Sequence, residues 1–464
     1  MAEDGTETIT VISPHTEEPI ATVTAPGPAD VDTAVVAARA AFDHGPWPRL
    51  DPAERIAVVR RLAEIYAARG GEMAELISRE IGAPISFARR VQVGMPSALM
   101  GAFATLAEGY VWQEDRAGFF GASVRVRREP VGVVAAITPW NVPQLLIVAK
   151  LIPALLTGCT IILKPAPESP LDALLLAEML AQVDLPPGVV QVLPGGTEVG
   201  ARLVSHPGID KVSFTGSTAA GRAVAAAAAE NLTRVSLELG GKSAAVVLDD
   251  APLEKAVPAG VNHCMQNSGQ TCSAWTRMLV PRASHDAAVT LAVAQLAKLT
   301  LGDPFETTTR LGPLVSSAQR DSVLGYIAKG KAEGARLVAG GGRPSGRSRG
   351  FFVEPTIFAD VDNAMTIAQE EIFGPVLCVI PYDTEDDAVR IANDSPYGLS
   401  GGVWAGTPER ATAVARRLRT GQVDINGARF NPLAPFGGYK KSGLGREIGP
   451  LALDEFFVLK SIQR

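Results

Sequence analysis

Between residues 131 and 247 the sequence alternates short runs of small and β-branched residues with longer apolar-periodic stretches, and this alternation admits few folds. Segments 131–137, 160–163, 189–192, 211–214, 235–239 and 243–247 read as strands, and 145–156, 170–183 and 218–230 read as helices between them. Strands apolar on both faces and joined through helices belong in a parallel sheet covered on both sides. A second alternating series runs from 251 to 419, and Gly240-Gly241, Gly340 to Gly342 and Gly437-Gly438 punctuate the loops. Upstream, 29–44, 52–81 and 97–113 read as helices, with Pro28 and Asp51-Pro52 as start signals, and 122–131 reads as an exposed strand. A chain of 464 residues outgrows a single core, so two or three domains of α/β type are expected.

Composition removes several classes of partner. A hydrophobic content of 47% with 20% charged residues suits a soluble globular chain. The net charge of −6 argues against nucleic acid or an anionic membrane as partner. Arg125, Arg127 and Arg128 form the one dense basic cluster, and their alternation with Val124 and Val126 reads as a strand with one charged face. The longest apolar stretch, 145–156, is interrupted by Lys150 and Pro153 and falls short of the roughly 20 residues of a membrane span. The acidic N-terminal segment has no positive or apolar region, so no secretory leader is expected. Four cysteines without a Cys-x-x-Cys pair make neither a disulfide framework nor an expected metal site, and the cytoplasm is the expected compartment.

The chemistry concentrates elsewhere. Asn267-Ser-Gly-Gln-Thr-Cys272 sets a thiol among small polar neighbours, with Gly269 allowing a tight turn. That context separates Cys272 from Cys159, Cys264 and Cys378, which sit in apolar runs or on a helix and read as packing. A free thiol is only a few per cent ionised at neutral pH and needs a base. His263 is near in sequence, yet a histidine on a helix face is more often structural. Glu238, 34 residues upstream of Cys272, ends an apolar strand where desolvation would raise its pKa towards neutrality. Read blandly it is a surface carboxylate, but Gly240-Gly241 directly after it favours a cleft. Asn141 in Pro139-Trp-Asn-Val-Pro143 offers an amide donor for an oxyanion.

A nucleotide could sit at Phe214-Thr-Gly-Ser-Thr-Ala-Ala-Gly221, which follows a strand and opens a helix. Backbone N–H groups there, bared by Gly216 and aided by Ser217, suit a pyrophosphate, although an ordinary capped helix reads the same way. Lys164, at another strand end, could reach a ribose or 2′-phosphate, or be a solvated charge. Gly195, Gly196 and Gly200 would admit a cofactor closely, or form only a turn.

Seven motifs in order carry a resemblance over essentially the whole chain. They are Pro139-Trp-Asn-Val-Pro143, Leu163-Lys-Pro-Ala166, Phe214-Thr-Gly-Ser217, Leu237-Glu-Leu-Gly-Gly-Lys242, Gly269-Gln-Thr-Cys272, Glu370-Glu-Ile-Phe-Gly-Pro375 and Pro435-Phe-Gly-Gly-Tyr-Lys440. With them the chain resembles the hydrolytic members of the NAD(P)-dependent aldehyde dehydrogenase superfamily.

The resemblance implies Cys272 as the nucleophile that forms a thiohemiacetal, with Asn141 and the Cys272 N–H as oxyanion donors. Loss of one such donor typically costs about 2.7–4 kcal/mol of barrier. It implies Glu238 as the base that activates water against the thioester, and Lys150 and Glu447 as proton relays. Glu371 and Phe373 would hold the nicotinamide ribose and ring. Thr138, Pro139, Trp140, Lys164, Glu168, Gly200, Phe214, Thr215, Gly216, Ser217, Leu239 and Gly240 complete the implied cofactor site. The cofactor expected is NAD, with NADP as the alternative. Many NAD-preferring relatives carry Glu three residues after the lysine, where this chain has Pro167, but Glu168 comes next and could repel a 2′-phosphate.

The fold implied is α/β, a Rossmann-type dinucleotide-binding domain of residues 1–111 and 131–240 with an α/β catalytic domain of 241–441. Residues 112–130 and 442–464 would form a small β oligomerisation element and tail, making a homodimer or homotetramer through an apolar terminal strand at 456–463. Val142, Leu145, Leu146, Trp275, Phe430 and Phe436 would line an apolar tunnel for an aliphatic or aromatic aldehyde, with Arg429 as a caution. Three rivals are weaker. Acylating relatives typically lack Glu at 238, a cofactor-independent thiol esterase leaves the 214–221 and 371–373 segments unexplained, and a purely structural protein would not need the intact catalytic set.

Overall fold

The computed structural model describes residues 8–119 and 121–464; the N-terminal segment read above as lacking a leader lies outside them. Two parallel sheets organise the chain. In the first, strands Val133–Ile137, Thr160–Lys164, Val190–Val192, Lys211–Thr215 and Arg234–Glu238 lie in the spatial order third, second, first, fourth, fifth. That is the arrangement of dinucleotide-binding sheets, whose strand order reverses beside the first strand. Gly443–Leu444 adds a short antiparallel strand beyond Arg234–Glu238. The second sheet places Arg336–Ala339, Thr356–Ala359, Val376–Tyr382, Arg277–Pro281, Ala244–Val247, Gly401–Trp404 and Asp424–Ile425 side by side, antiparallel only at the first pair.

Alternate strand residues face opposite helical layers, as the two-residue period requires. Val134, Ala136 and Leu163 pack on Ile147, Leu151 and Leu155 of helix Pro143–Thr157. Val133, Ala135 and Ile162 pack on Val31, Val35 and Leu203 on the other face. The second sheet repeats this with Leu279 and Ile380 on one side and Met278 and Val379 on the other. Cys159, Cys264 and Cys378 are fully buried in these layers, as their apolar surroundings predict.

A third sheet is antiparallel, with Ser123–Pro130 between Gln113–Ala117 and the terminal strand Phe457–Gln463. The basic cluster in it pairs with acids, Arg125 with Asp115 at 2.8 Å and Arg128 with Glu114 at 3.7 Å.

Several helices differ from the sequence expectation. The 52–81 helix is two, Pro52–Ala68 and Gly70–Ile81, because Arg69 leaves helical geometry ahead of Gly70-Gly71 and turns its guanidinium to Glu72 and Glu178. The 97–113 helix is Gly94–Glu108, and the chain beyond it is drawn out by Tyr110 and Trp112, which pack on Phe457. A hairpin, Thr8–Ile12 with Pro19–Thr24, and a helix, Thr197–Ser205, were not anticipated. The helix hides behind Gly195-Gly196 and Gly200, whose low helix propensity masks a short amphipathic repeat.

One buried polar cluster ties helices together. Glu80 accepts hydrogen bonds from the N–H groups of Leu171 (2.6 Å) and Asp172 (3.0 Å), and Gln144 donates to the Asp172 carboxylate at 2.7 Å. Burial lifts both acids, Asp172 to about 7, and the Asp172 charge lifts Glu80 further. The folded chain therefore holds protons that the unfolded chain releases, so stability falls as pH rises between about 4 and 7. Asp172→Asn should flatten that loss, and melting temperatures at about pH 5 and about pH 8 test it. The same pH dependence in variant and parent would contradict this origin.

Candidate active site

Parallel strands present their carboxyl ends at one edge, and the first sheet gathers its chemistry there. Register pairs Ile137 with both Lys164 and Phe214, and Thr215 with Glu238. Thr138, Pro139, Trp140 and Asn141 continue from the first strand, and Leu239 and Gly240 from the fifth. The second sheet brings Cys272, on the loop before Arg277–Pro281, and Glu371, on the loop before Val376–Tyr382.

These contributions meet at Gly240-Gly241. A Cβ on Gly240 would lie 1.9 Å from Glu371 Oε2, and one on Gly241 would lie 2.4 Å from the Cys272 carbonyl. The Gly241 N–H donates to Glu371 Oε1 at 3.1 Å. Glu238, two residues earlier, is buried and its Oε1 has no partner. Only glycine lets three functional segments approach one turn this closely.

Cys272 is partly buried and unpaired. Burial, then the charges of Glu238 and Glu371, push its thiol well up, while the N–H groups of Ser273 and Cys272 pull it down. Glu238 is raised well above the carboxylate range by burial and by Glu447, against a lowering by Lys150 and Arg446. Glu371 rises to about 7 through burial, opposed by the Gly241 N–H and the Lys242 charge. Thiol and acids are thus biased towards their protonated forms, so a carboxyl must ionise before it can take the thiol proton.

The turn before Cys272 is unusual. Asn267, Ser268 and Gly269 all have positive φ (48°, 56° and 77°), and a Cβ on Gly269 would lie 2.1 Å from the Gly374 carbonyl. Strain of this kind persists only where surroundings over-determine it. Ser268 Oγ donates to Gly312 O at 2.8 Å, and Asn267 Nδ2 donates to Asn141 O at 2.9 Å. The Asn141 side chain donates to Gln270 O at 3.1 Å. Because that partner is an acceptor only, Nδ2 must face it, and its second hydrogen remains available. Gln92 Nε2 donates to the Asn141 carbonyl at 2.9 Å.

Behind Glu238, Glu447 pairs with Lys150, whose Nζ also donates to Thr215 Oγ1 at 2.7 Å. Glu447 is fixed by backbone hydrogen bonds to Phe436 in both directions, at 2.6 and 2.7 Å.

On the nucleotide side, Lys164 is buried and not the solvated charge its position first suggests. Its Nζ donates to Gly195 O at 2.6 Å and Pro165 O at 2.8 Å, and burial drops its pKa to about 8. Gly200 packs against its stem, where a Cβ would sit 3.4 Å from Lys164 Cε. Glu168 stands close enough to raise Lys164, and is itself raised by burial. Ser217 Oγ accepts from Ala220 N at 3.2 Å, so the serine caps helix Thr218–Ala229, and Gly216 N–H binds Glu238 O at 3.1 Å. Thr138 Oγ1 is buried without a partner. Trp140 meets Phe373 edge-on at 5.4 Å, and Phe373 has φ 55°. Leu239 fills the space beside Gly221, where a Cβ would lie 2.5 Å away.

His263 stacks on Trp275 at 3.9 Å, accepts the Trp275 main-chain N–H, and is driven to about 4 by burial, so it is a packing residue. Trp275 also lies over Gly402. Phe430 is exposed on a surface loop, whereas Val142 and Leu146 are buried and Leu145 and Phe436 are half-buried. Sequence reasoning assigns no role to Gln92, nor to Asn267 and Lys242, which stand at the ends of quoted motifs. Asn267-Ser-Gly carried a signal, three residue types that tolerate left-handed backbone; Gln92 carried none. Lys242 is fully buried beside Glu371 with no hydrogen-bond partner.

The helix start capped by Ser217 at a strand's carboxyl end, an unpartnered buried Thr138 hydroxyl and a carboxylate at 371 make a set that fits a dinucleotide. Comparison with known proteins agrees. Residues 1–462 match the aldehyde dehydrogenase family. A geranial dehydrogenase of Castellaniella defragrans is 45% identical over 462 residues, all of this chain and 96% of that protein. A Mycobacterium tuberculosis aldehyde dehydrogenase complexed with NAD+ superposes with a TM-score of 0.97 at 50% identity, covering 98% of this chain and 94% of that one. Aldehyde dehydrogenase C of Pseudomonas syringae, a cysteine-to-alanine variant in complex with NAD+ and octanal, gives 0.96 at 46%, covering 98% and 93%. By sequence over its whole length and by fold, the chain belongs to the aldehyde dehydrogenase family.

Proposed function

We propose that this chain oxidises an apolar aldehyde to its carboxylic acid with NAD, through an acyl group carried on Cys272. The observation that carries the hydrolytic reading is Glu238, a buried carboxyl with an unpartnered oxygen at the turn that touches the Cys272 carbonyl. Cys272 adds to the aldehyde carbon, and its proton passes to a neighbouring carboxylate. The free hydrogen on Asn141 Nδ2 and the Cys272 N–H stabilise the oxyanion of the thiohemiacetal. Bound NAD supplies the acceptor for the hydride lost when that carbon becomes a thioester. Thr138, Trp140, Lys164, Glu168, Ser217, Glu371 and Phe373 would hold the cofactor. Glu238 then takes a proton from water, which attacks the thioester, and the acid and the thiol leave. Lys150 and Glu447 carry the proton onward.

Buried Val142 and Leu146 support an apolar substrate, in keeping with a geranial dehydrogenase and an octanal complex among the similar proteins. Residues 1–111 and 131–240 serve as the cofactor domain, 241–441 as the catalytic domain and 112–130 with 442–464 as the oligomerisation element. Strand Phe457–Gln463 supports a homo-oligomer, since it forms an open sheet edge exposing Leu459 and Ile462. Four unpaired cysteines suit a reducing compartment such as the cytoplasm.

Cys272→Ala should abolish NADH formation from aldehydes, and surviving turnover would end this reading. Glu238→Gln should keep a first-turnover burst of NADH while steady turnover falls about 10²–10⁴-fold; loss of the burst would remove Glu238 from the hydrolytic step. Glu371 loses its proton near pH 7, and only its ionised form accepts from ribose hydroxyls as a full carboxylate. The KM for NAD should therefore fall as pH rises through about 7, and Glu371→Gln should flatten that profile. An unchanged profile would contradict the role. Sedimentation as a monomer at micromolar concentration would contradict the open-edge assembly.

A further inference from the structure

We propose that Gln92 is a positioning residue for the reaction, holding the main chain of Asn141 so that the Asn141 side-chain amide faces the reacting carbonyl. This deepens, and rests on, the reading of Asn141 as the oxyanion donor.

Gln92 lies 49 residues before Asn141, on a segment remote from every motif in the chain. Its side chain is fully buried, and its Nε2 donates to the Asn141 carbonyl at 2.9 Å. That carbonyl also accepts from Asn267 Nδ2 at 2.9 Å. The other end of Asn141 is held where Nδ2 donates to Gln270 O at 3.1 Å, and Gln270 is anchored in turn by Val315 N–H on its Oε1 at 3.0 Å. Asn141 is thus clamped at backbone and side chain, and Gln92 is the member of the clamp that comes from outside both site loops.

The local backbone around Gln92 supports this role. Residues Ala88–Val93 form a π-helical turn between Ile85–Phe87 and Gly94–Glu108. Such turns widen the helix by one residue, rotate the phase of the next helical segment, and occur often at functional sites. Within this one turn Arg89 and Arg90 are exposed while Gln92 is buried. Gln92 Oε1 is buried without a partner. A leucine would fill the same volume without stranding an acceptor, so packing alone does not account for an amide here. What the amide does that leucine cannot is donate to Asn141.

A positional role and a merely structural one separate in a double-variant cycle with a deuterated substrate. The four proteins are the parent, Gln92→Leu, Asn141→Ala and the double variant, assayed with NAD and an aliphatic aldehyde carrying hydrogen or deuterium at C1. Gln92→Leu should lower kcat about 10- to 100-fold with less than about a 2-fold change in the aldehyde KM, and raise the deuterium isotope effect on kcat. The double variant should be no slower than Asn141→Ala alone, because the clamp has nothing left to hold. Parental kcat in Gln92→Leu, or effects that multiply in the double variant, would overturn the proposal. If Asn141→Ala itself keeps parental kcat, the oxyanion reading falls first and takes the proposal with it. Should Gln92→Leu not fold, Gln92→Glu carries the test: its carboxyl donates only when protonated, so its kcat relative to the parent should recover as pH falls. A ratio independent of pH would count against Gln92 as a donor.

Discussion

The site depends on two absent side chains. Gly240 and Gly241 let the Glu371 carboxylate rest on one backbone amide while the Cys272 carbonyl approaches the next, with Glu238 just upstream. Any Cβ at Gly240 would strike the Glu371 carboxylate, and at Gly241 it would strike main chain, which cannot swing aside. Because the turn joins strand Arg234–Glu238 of one sheet to Ala244–Val247 of the other, it is also the hinge of the architecture. One sheet brings the strand ends at Ile137, Lys164 and Thr215, the other brings the thiol, and the glycines set how near the two come.

That nearness has an electrostatic consequence. Glu238 and Glu371 crowd the thiol and Glu447 stands beside Glu238, so charge on one acid disfavours ionisation of the next group. At rest the thiol keeps its proton, which protects it from oxidation and adventitious alkylation. Lys150 pairs with Glu447 and lowers Glu238, and buried Lys242 lowers Glu371.

Much of this was legible from residues alone. The sheet followed from strands apolar on both faces, such as Val133–Ile137, and the small polar surroundings of Cys272 set it apart from the three cysteines that are fully buried. The burial of Glu238 was legible because Gly240-Gly241 directly after an apolar strand favoured a cleft over a surface carboxylate. The remainder was hidden for physical reasons. Lys164 looked like a solvated strand end because carbonyl acceptors at Pro165 and Gly195 are satisfied only in the fold. Helix 52–81 broke at Arg69, whose ion pairs with Glu178 are tertiary. Gln92 was invisible, since a lone glutamine among Arg89, Arg90 and Val91 acquires meaning only through a π-helical turn and a contact 49 residues away. Trp275 and Phe430 were apolar and near in sequence to the site, but one packs on a histidine and the other faces solvent.

The central claim is that the acyl group of the substrate rests on one sulfur before water removes it. Glu238→Gln mixed with NAD and octanal, quenched in acid within its first turnovers and digested, should yield the peptide bearing Cys272 heavier by one octanoyl group. Finding that peptide unmodified while NADH has formed, or finding the acyl group on another residue, would contradict the account.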